Sequence, residues 1–155
     1  MILTAVVEIP MNSTFKYEID KSTGQLCLDR PLNQPIPYNY GFIPGTLSED
    51  SDPIDVFVLT DTPIHPLTKV SVQLIGVIKG EDGGKRDDKL IATIVGDCRG
   101  YETMGLAVIQ SYLESYKTGF KILGPVGDAV EAAKIYDDSV KLYESNIWRD
   151  EDLDF

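Results

Sequence analysis

Asp50, Asp52 and Asp55 place three carboxylates within six residues, in the segment Asp50-Ser51-Asp52-Pro53-Ile54-Asp55. In an extended segment, residues two apart point to the same side, so Asp50 and Asp52 can converge. Pro53 then bends the chain, and Asp55 opens the apolar strand Val56-Phe57-Val58-Leu59. Three like charges around one small volume are unfavourable unless a cation or shared protons relieve them. Hard oxygen donors at this density suit magnesium, manganese or calcium. The same residues also fit an acidic surface turn whose side chains cap backbone amides. A calcium-binding EF-hand does not fit, because Asp55 stands where its loop needs glycine and no bidentate glutamate with flanking helices follows.

A second acidic group, Asp82, Asp87 and Asp88, lies in the turn from Gly80 to Lys89. Alone it reads as a solvated loop. Together, the two groups can hold more than one metal ion, which is the usual equipment for in-line phosphoryl transfer to water. Cations accompany them. Lys16 and Glu18 alternate with Tyr17 and so share a strand face, Arg30 ends the next strand candidate, Lys89 begins the strand after the acidic turn, and Tyr116-Lys117 closes a helix. Each of these alone also fits an ordinary surface position, and Tyr116 fits core packing.

The formal net charge of -11 argues against a nucleic-acid backbone or an anionic membrane as partner. It also means that an anionic substrate would need metal cations between itself and the carboxylates. The acidic end, Asp150-Glu151-Asp152-Leu153-Asp154, reads as a short, mobile, solubilising tail. Cys27 and Cys98 match no metal-binding spacing, and Met1 to Val7 lacks a basic leader and runs into Glu8, so it reads as a first strand. Reduced thiols and a cytoplasmic location are expected. His65 falls in a proline-bounded loop and receives no catalytic role, while Trp148 is expected to pack the C-terminal segment or an interface.

The 155 residues, 43% of them hydrophobic, suit a single domain with one core. Strand patterns cover Leu3–Ile9, Lys16–Ile19, Gln25–Asp29, Val56–Leu59, Val70–Ile78 and Lys89–Val95. The last two read as a long hairpin around Asp82-Gly83-Gly84-Lys85. Leu106, Ile109, Leu113 and Tyr116, with Tyr112 nearby, share one face of a helix from about Gly105 to Lys117. A second helix starts with Asp128 as N-cap and Glu131 three residues on, and runs through Val130, Ala133, Tyr136, Val140 and Tyr143. Short strands followed by two helices predict a mainly β α+β protein, a closed or nearly closed barrel with two C-terminal helices packed outside.

The chain resembles the soluble inorganic pyrophosphatases of family I. Asp50 to Asp55 fits the family's D-x-D-P-x-D signature completely. Further matches are Glu8-Ile9-Pro10, Lys16-Tyr17-Glu18, Asp29-Arg30, Asn39-Tyr40-Gly41, Gly76-Val77, Asp82, Asp87, Lys89 and Tyr116-Lys117. Order and most spacings agree from about Val6 to Lys117; beyond that the likeness lies only in being helical. The resemblance implies a five-stranded OB-like barrel and magnesium-dependent hydrolysis of pyrophosphate, with manganese able to substitute and calcium inhibitory. It implies Asp50, Asp55 and Asp87 at the tightest metal site, Asp55 also touching a second ion, Asp82 and Asp87 holding metals that arrive with substrate, and Glu8 and Glu18 in the same cavity. It assigns Asp52 to a water bridging two metals, and Lys16, Arg30, Tyr40, Lys89, Tyr116 and Lys117 to the two phosphates. Lys16, Arg30 and Tyr40 count with Asp52 as catalytic. A homo-oligomer is implied, a hexamer if the chain follows the bacterial members.

Two departures stand out. The family has a tyrosine three residues before Asn39, where this chain has Ile36; Tyr38, facing the same side in an extended segment, is the available substitute. The stretch from Lys89 to Tyr116, containing Gly96-Asp97-Cys98-Arg99-Gly100-Tyr101, is also shorter than in many bacterial relatives. Both leave open an alternative substrate, a nucleotide or a polyphosphate. A nucleic-acid-binding module on the same barrel would want a basic track with stacking aromatics, which this acidic chain lacks.

Overall fold

The runs rich in valine and isoleucine become the strands of one closed barrel, where branched side chains pack well on a pleated surface. The computed structural model describes residues 1–97, 100 and 102–153, with 102, 103 and 147–153 described by backbone alone. Its elements are β1 (Ile2–Ile9), β2 (Phe15–Ile19), β3 (Leu26–Pro31), β4 (Asn39–Phe42), β5 (Asp55–Leu59), β6 (Lys69–Ile78), β7 (Gly80–Asp82), β8 (Lys85–Arg86), β9 (Lys89–Ile94), α1 (Glu102–Glu114), β10 (Phe120–Ile122) and α2 (Ala129–Leu153). The barrel runs β1-β4-β5-β9-β6 and closes back on β1, while β2-β3 and β10-β7-β8 form two small sheets beside it. The mainly β, OB-like barrel with two helices is therefore the fold.

Alternation on β5 divides the interior. Val56 and Val58 join Leu3, Val72, Leu90 and Ala132 of α2, whereas Phe57 and Leu59 join Ile9, Ile91 and Ile109 and Leu113 of α1. One rung sets the site. β5 pairs with β9 in parallel, and Asp55 lies opposite Lys89 at its first residue. β6 and β9 pair antiparallel as the expected hairpin, but their connection forms strands of its own, β7 and β8.

β4 was not expected, since Asn39 and Gly41 are poor strand formers. Tertiary demands decide it. A Cβ at Gly41 would drive into the Val6 carbonyl of β1, so only glycine lets the two strands close here. The Asn39 amide is buried and fully used. It accepts from Met11 N (3.0 Å) and Ile64 N (2.9 Å), and donates to the Val58 carbonyl (3.1 Å) and Thr60 Oγ1 (2.6 Å).

The expected faces of the helices need correction. α1 starts at Glu102 and ends at Glu114, so Tyr116 lies beyond it, although Leu106, Ile109 and Leu113 do pack inward. On α2 the inward residues are Ala132, Ile135, Tyr136 and Ser139, and Val130 is 78% exposed. Asp128 caps the first turn as expected, and Val130, within that turn, points to solvent. Asp128 Oδ1 accepts the Glu131 amide at 2.9 Å, while the Glu131 carboxylate turns to Lys79 (2.7 Å) instead of closing a capping box. Asp128→Ala should therefore cost about 1 kcal/mol of stability, read as a lower urea midpoint at unchanged slope. α2 continues through Leu153, so backbone 150–153 is helical. The side chains of that acidic stretch, Trp148 and Cys98 lie outside the described residues. Cys27 is an exposed free thiol, His65 is exposed with its ring against the Pro66 carbonyl, and no helix among the described residues is long and apolar enough to cross a membrane.

Candidate active site

Strand ends on the α1 side of the barrel enclose a cavity of about 270 Å³. Glu8 enters it from β1, Lys16 and Glu18 from β2, Arg30 from β3, Tyr40 from β4, Asp55 from β5, Asp82 from β7 and Lys89 from β9. Asp50 and Asp52 enter from the loop before β5, Asp87 from the turn before β9, and Tyr116 and Lys117 from the turn after α1. Every residue to which the family resemblance gives a metal, catalytic or phosphate role thus lines one cavity. Asp88 does not: it pairs with Arg86 (2.9 Å) and accepts the Gly80 amide, fixing the turn.

Lys89 is the centre of the charge network and is only 2% exposed. Its Nζ donates to Asp55 Oδ2 (2.7 Å), Asp87 Oδ1 (2.9 Å) and the Tyr40 phenolic oxygen (2.8 Å). Burial alone would lower this ammonium, but Asp55 above all the other charges holds it well above its ordinary range. Burial pushes the Asp87 carboxyl up against the pull of Lys89, and Asp55 adds to the rise. Other lysines are paired as well: Lys16 with Asp29 (3.1 Å), Lys117 with Asp82 (2.6 Å) and Lys21 with Glu8 (3.2 Å).

The family model described as inorganic pyrophosphatase matches residues 5–144. The chain belongs to the inorganic pyrophosphatase family. It is 40% identical over 157 residues to soluble inorganic pyrophosphatase 2 of Chlamydomonas reinhardtii, with 93% of this chain and 82% of that protein covered. Solved pyrophosphatases agree in fold. That of Helicobacter pylori has a TM-score of 0.84 at 33% identity, covering 92% of this chain and 94% of its own. That of Neisseria gonorrhoeae also scores 0.84, at 31% identity, covering 92% and 91%.

Within this pyrophosphatase family member, the acidic loop is not the extended segment expected. Ser51 takes a left-handed φ of 72°, Ser48 N donates to the Asp52 carbonyl (2.8 Å), and Asp50 Oδ1 caps the Asp52 amide (3.0 Å). The capped acidic turn and the acid cluster are therefore one structure. The loop is anchored from behind by Leu47 N on the Ser139 carbonyl of α2 (3.0 Å), by Arg86 N on Glu49 Oε1 (2.9 Å), and by Ile54 N on Thr46 Oγ1 (2.9 Å). These ties hold the Asp50–Asp55 loop against the Asp82–Asp87 turn.

As the side chains lie, no three acidic, histidine or cysteine groups among the described residues converge on one point. Of the expected set of Asp50, Asp55 and Asp87, the last two already share the Lys89 ammonium. The donor chemistry nevertheless fits a hard divalent ion. The carboxylates are crowded enough that Asp50 is raised by partial desolvation with Asp52 and Asp55 adding to it, and an ammonium already sits where a cation would relieve two of them. Glu8 is more structural than expected. Its Oε2 accepts the Ile19 amide (2.8 Å) as well as Lys21, and burial raises its carboxyl.

Ile36 lines the cavity at 3% exposure, and Tyr38 is not among the lining residues. Among the lining residues that the sequence does not mark are Lys21 and Tyr112. Lys21 sits in what reads only as turn chemistry, and it reaches Glu8 because the end of β2 is hung on that carboxylate through the Ile19 amide. Tyr112 counts toward the apolar face of α1, and nothing in its spacing marks a hydroxyl on a cavity.

Proposed function

We propose that this cavity hydrolyses inorganic pyrophosphate to two phosphates, with magnesium as its metal. The reading is carried by the paired charges of the cavity, because each lysine–aspartate pair can part into one cation site and one anion site. Asp50, Asp55, Asp82 and Asp87 would hold the metals, with Glu8 and Glu18 supporting them. When bound, the metals acidify the attacking water and neutralise charge on the phosphates.

The chain's own groups do the rest. Lys16, Arg30, Lys89, Lys117 and Tyr116 bind the phosphate oxygens and take up the charge of the leaving phosphate. Burial, with Asp55 next, keeps the Tyr40 phenol protonated far above neutral pH. Its oxygen accepts from Lys89, so its own proton is free to donate to phosphate. Asp52 takes the proton of the attacking water as that oxygen bonds to one phosphorus and the bond to the bridging oxygen breaks. The exposed Met104 and Val108 of α1 support assembly with further copies of the chain, which light scattering would read.

Purified protein should release phosphate from pyrophosphate with magnesium, and chelation should stop it. Asp52→Asn should lower kcat about 10²-fold with the fold intact. A rate equal to that of Asp52→Asn would overturn the assignment. Ile36 supports one competing reading, a larger phosphoanhydride substrate, because it leaves an apolar patch on the cavity wall. Faster hydrolysis of triphosphate or nucleoside triphosphate than of pyrophosphate would establish it.

A further inference from the structure

Tyr112 is 8% exposed, and its ring lies stacked on Tyr116 with centroids 5.7 Å apart. It packs among Ile36, Leu113 and Ile109 in the core beneath α1. Yet its hydroxyl has no hydrogen-bond partner among the described residues, and the oxygen is not sealed from solvent. The residue lines the cavity together with Leu113 and Tyr116. The oxygen is unpartnered within the protein, but the cavity can supply a partner.

Arg30 identifies that partner. Arg30 lines the same cavity, and its charge opposes the rise of the Tyr112 phenol. No carboxylate pairs with Arg30 among the described residues, in contrast to the cavity lysines. Burial pushes the Tyr112 phenol up to about 12, so at neutral pH it is a donor. Gln34 Nε2 donates to Ser115 Oγ (2.8 Å), fastening the end of α1 to the loop that follows Arg30. Donor and guanidinium line one cavity, and an anion with several acceptor oxygens bound there can satisfy both.

We propose that Tyr112 is a further substrate-contacting residue, its hydroxyl donating to a phosphate oxygen of the group held by Arg30. The inference rests on the phosphate-binding part of the function proposed above. It deepens that reading by putting a hydroxyl donor on the wall that Ile36 leaves apolar.

The test compares the full chain with Tyr112→Phe, which removes one oxygen and keeps the ring packing. Inorganic phosphate binding is measured by calorimetry with magnesium present, alongside steady-state kinetics on pyrophosphate. The expected result is phosphate affinity about tenfold weaker and KM for pyrophosphate raised about tenfold, with kcat and Tm nearly unchanged. Unchanged phosphate affinity in Tyr112→Phe would overturn the proposal, as would a fall in Tm with no change in KM. If the unaltered protein releases no phosphate from pyrophosphate, the proposed function fails, while the phosphate titration still decides the role of Tyr112.

Discussion

Lys89→Met should lower kcat/KM about 10³-fold and destabilise the protein most when divalent metal is withheld. The side chain is buried, and methionine nearly matches its volume, so packing is largely conserved. What disappears is the ammonium shared by Asp55, Asp87 and Tyr40. The reaction loses a fixed positive charge beside the phosphates, a kind of loss that costs about 10²–10³-fold. The protein loses the counter-ion of two mostly buried carboxylates, and stripping one partner from such a pair costs about 3–5 kcal/mol. At the proposed metal site, a divalent cation between Asp55 and Asp87 would replace that counter-ion. Melting curves with chelator and with magnesium should therefore show a large deficit in the first and a small one in the second. Equal deficits would mean that no metal engages these two aspartates.

The second large effect is on stability alone. Asn39→Leu should destabilise by about 4–6 kcal/mol, measured by urea unfolding. Three groups lose their Asn39 partner at once, the amides of Met11 and Ile64 and the Val58 carbonyl, while the Thr60 hydroxyl keeps only its bond to the Thr62 carbonyl (2.7 Å). Each buried orphan costs about 1–3 kcal/mol, though the terms do not add fully. Against a typical total of about 5–15 kcal/mol, the variant sits near its unfolding threshold. Asn39→Asp keeps both acceptor contacts and should fall in between. A loss under about 1 kcal/mol in Asn39→Leu would show that water reaches this amide.

The barrel strands β1, β5, β6 and β9 are legible in sequence because their branched residues alternate or run together. β4 is not, since its residues are chosen for what crosses them: Gly41 for the Val6 carbonyl and Asn39 for three other segments. The inward face of α2 is misread because Val130, apolar but in the first turn, points to solvent. At the site the residue types are legible, as carboxylates and cations have few other reasons to gather. Their pairing is not. Lys89 with Asp55, or Lys117 with Asp82, joins positions 34 and 35 apart, and no local pattern encodes such contacts. The local shape of the acidic loop is hidden for a different reason: one left-handed residue, Ser51, turns an extended reading into a capped turn.

The parallel pairing of β5 with β9 also bears on how the enzyme comes into being. Asp55 meets Lys89 only on the first rung of that pair, and antiparallel β6 lies between the two strands in sequence. Closing so long a stretch of chain carries an entropic toll before any contact rewards it, so this pairing belongs to the slow part of folding. A half-folded chain can already hold the β6–β9 hairpin, yet it has no place to put a phosphate. In refolding experiments the recovery of turnover should lag behind hairpin-level secondary structure and coincide with ring closure, so that nascent or damaged copies of the protein stay catalytically silent.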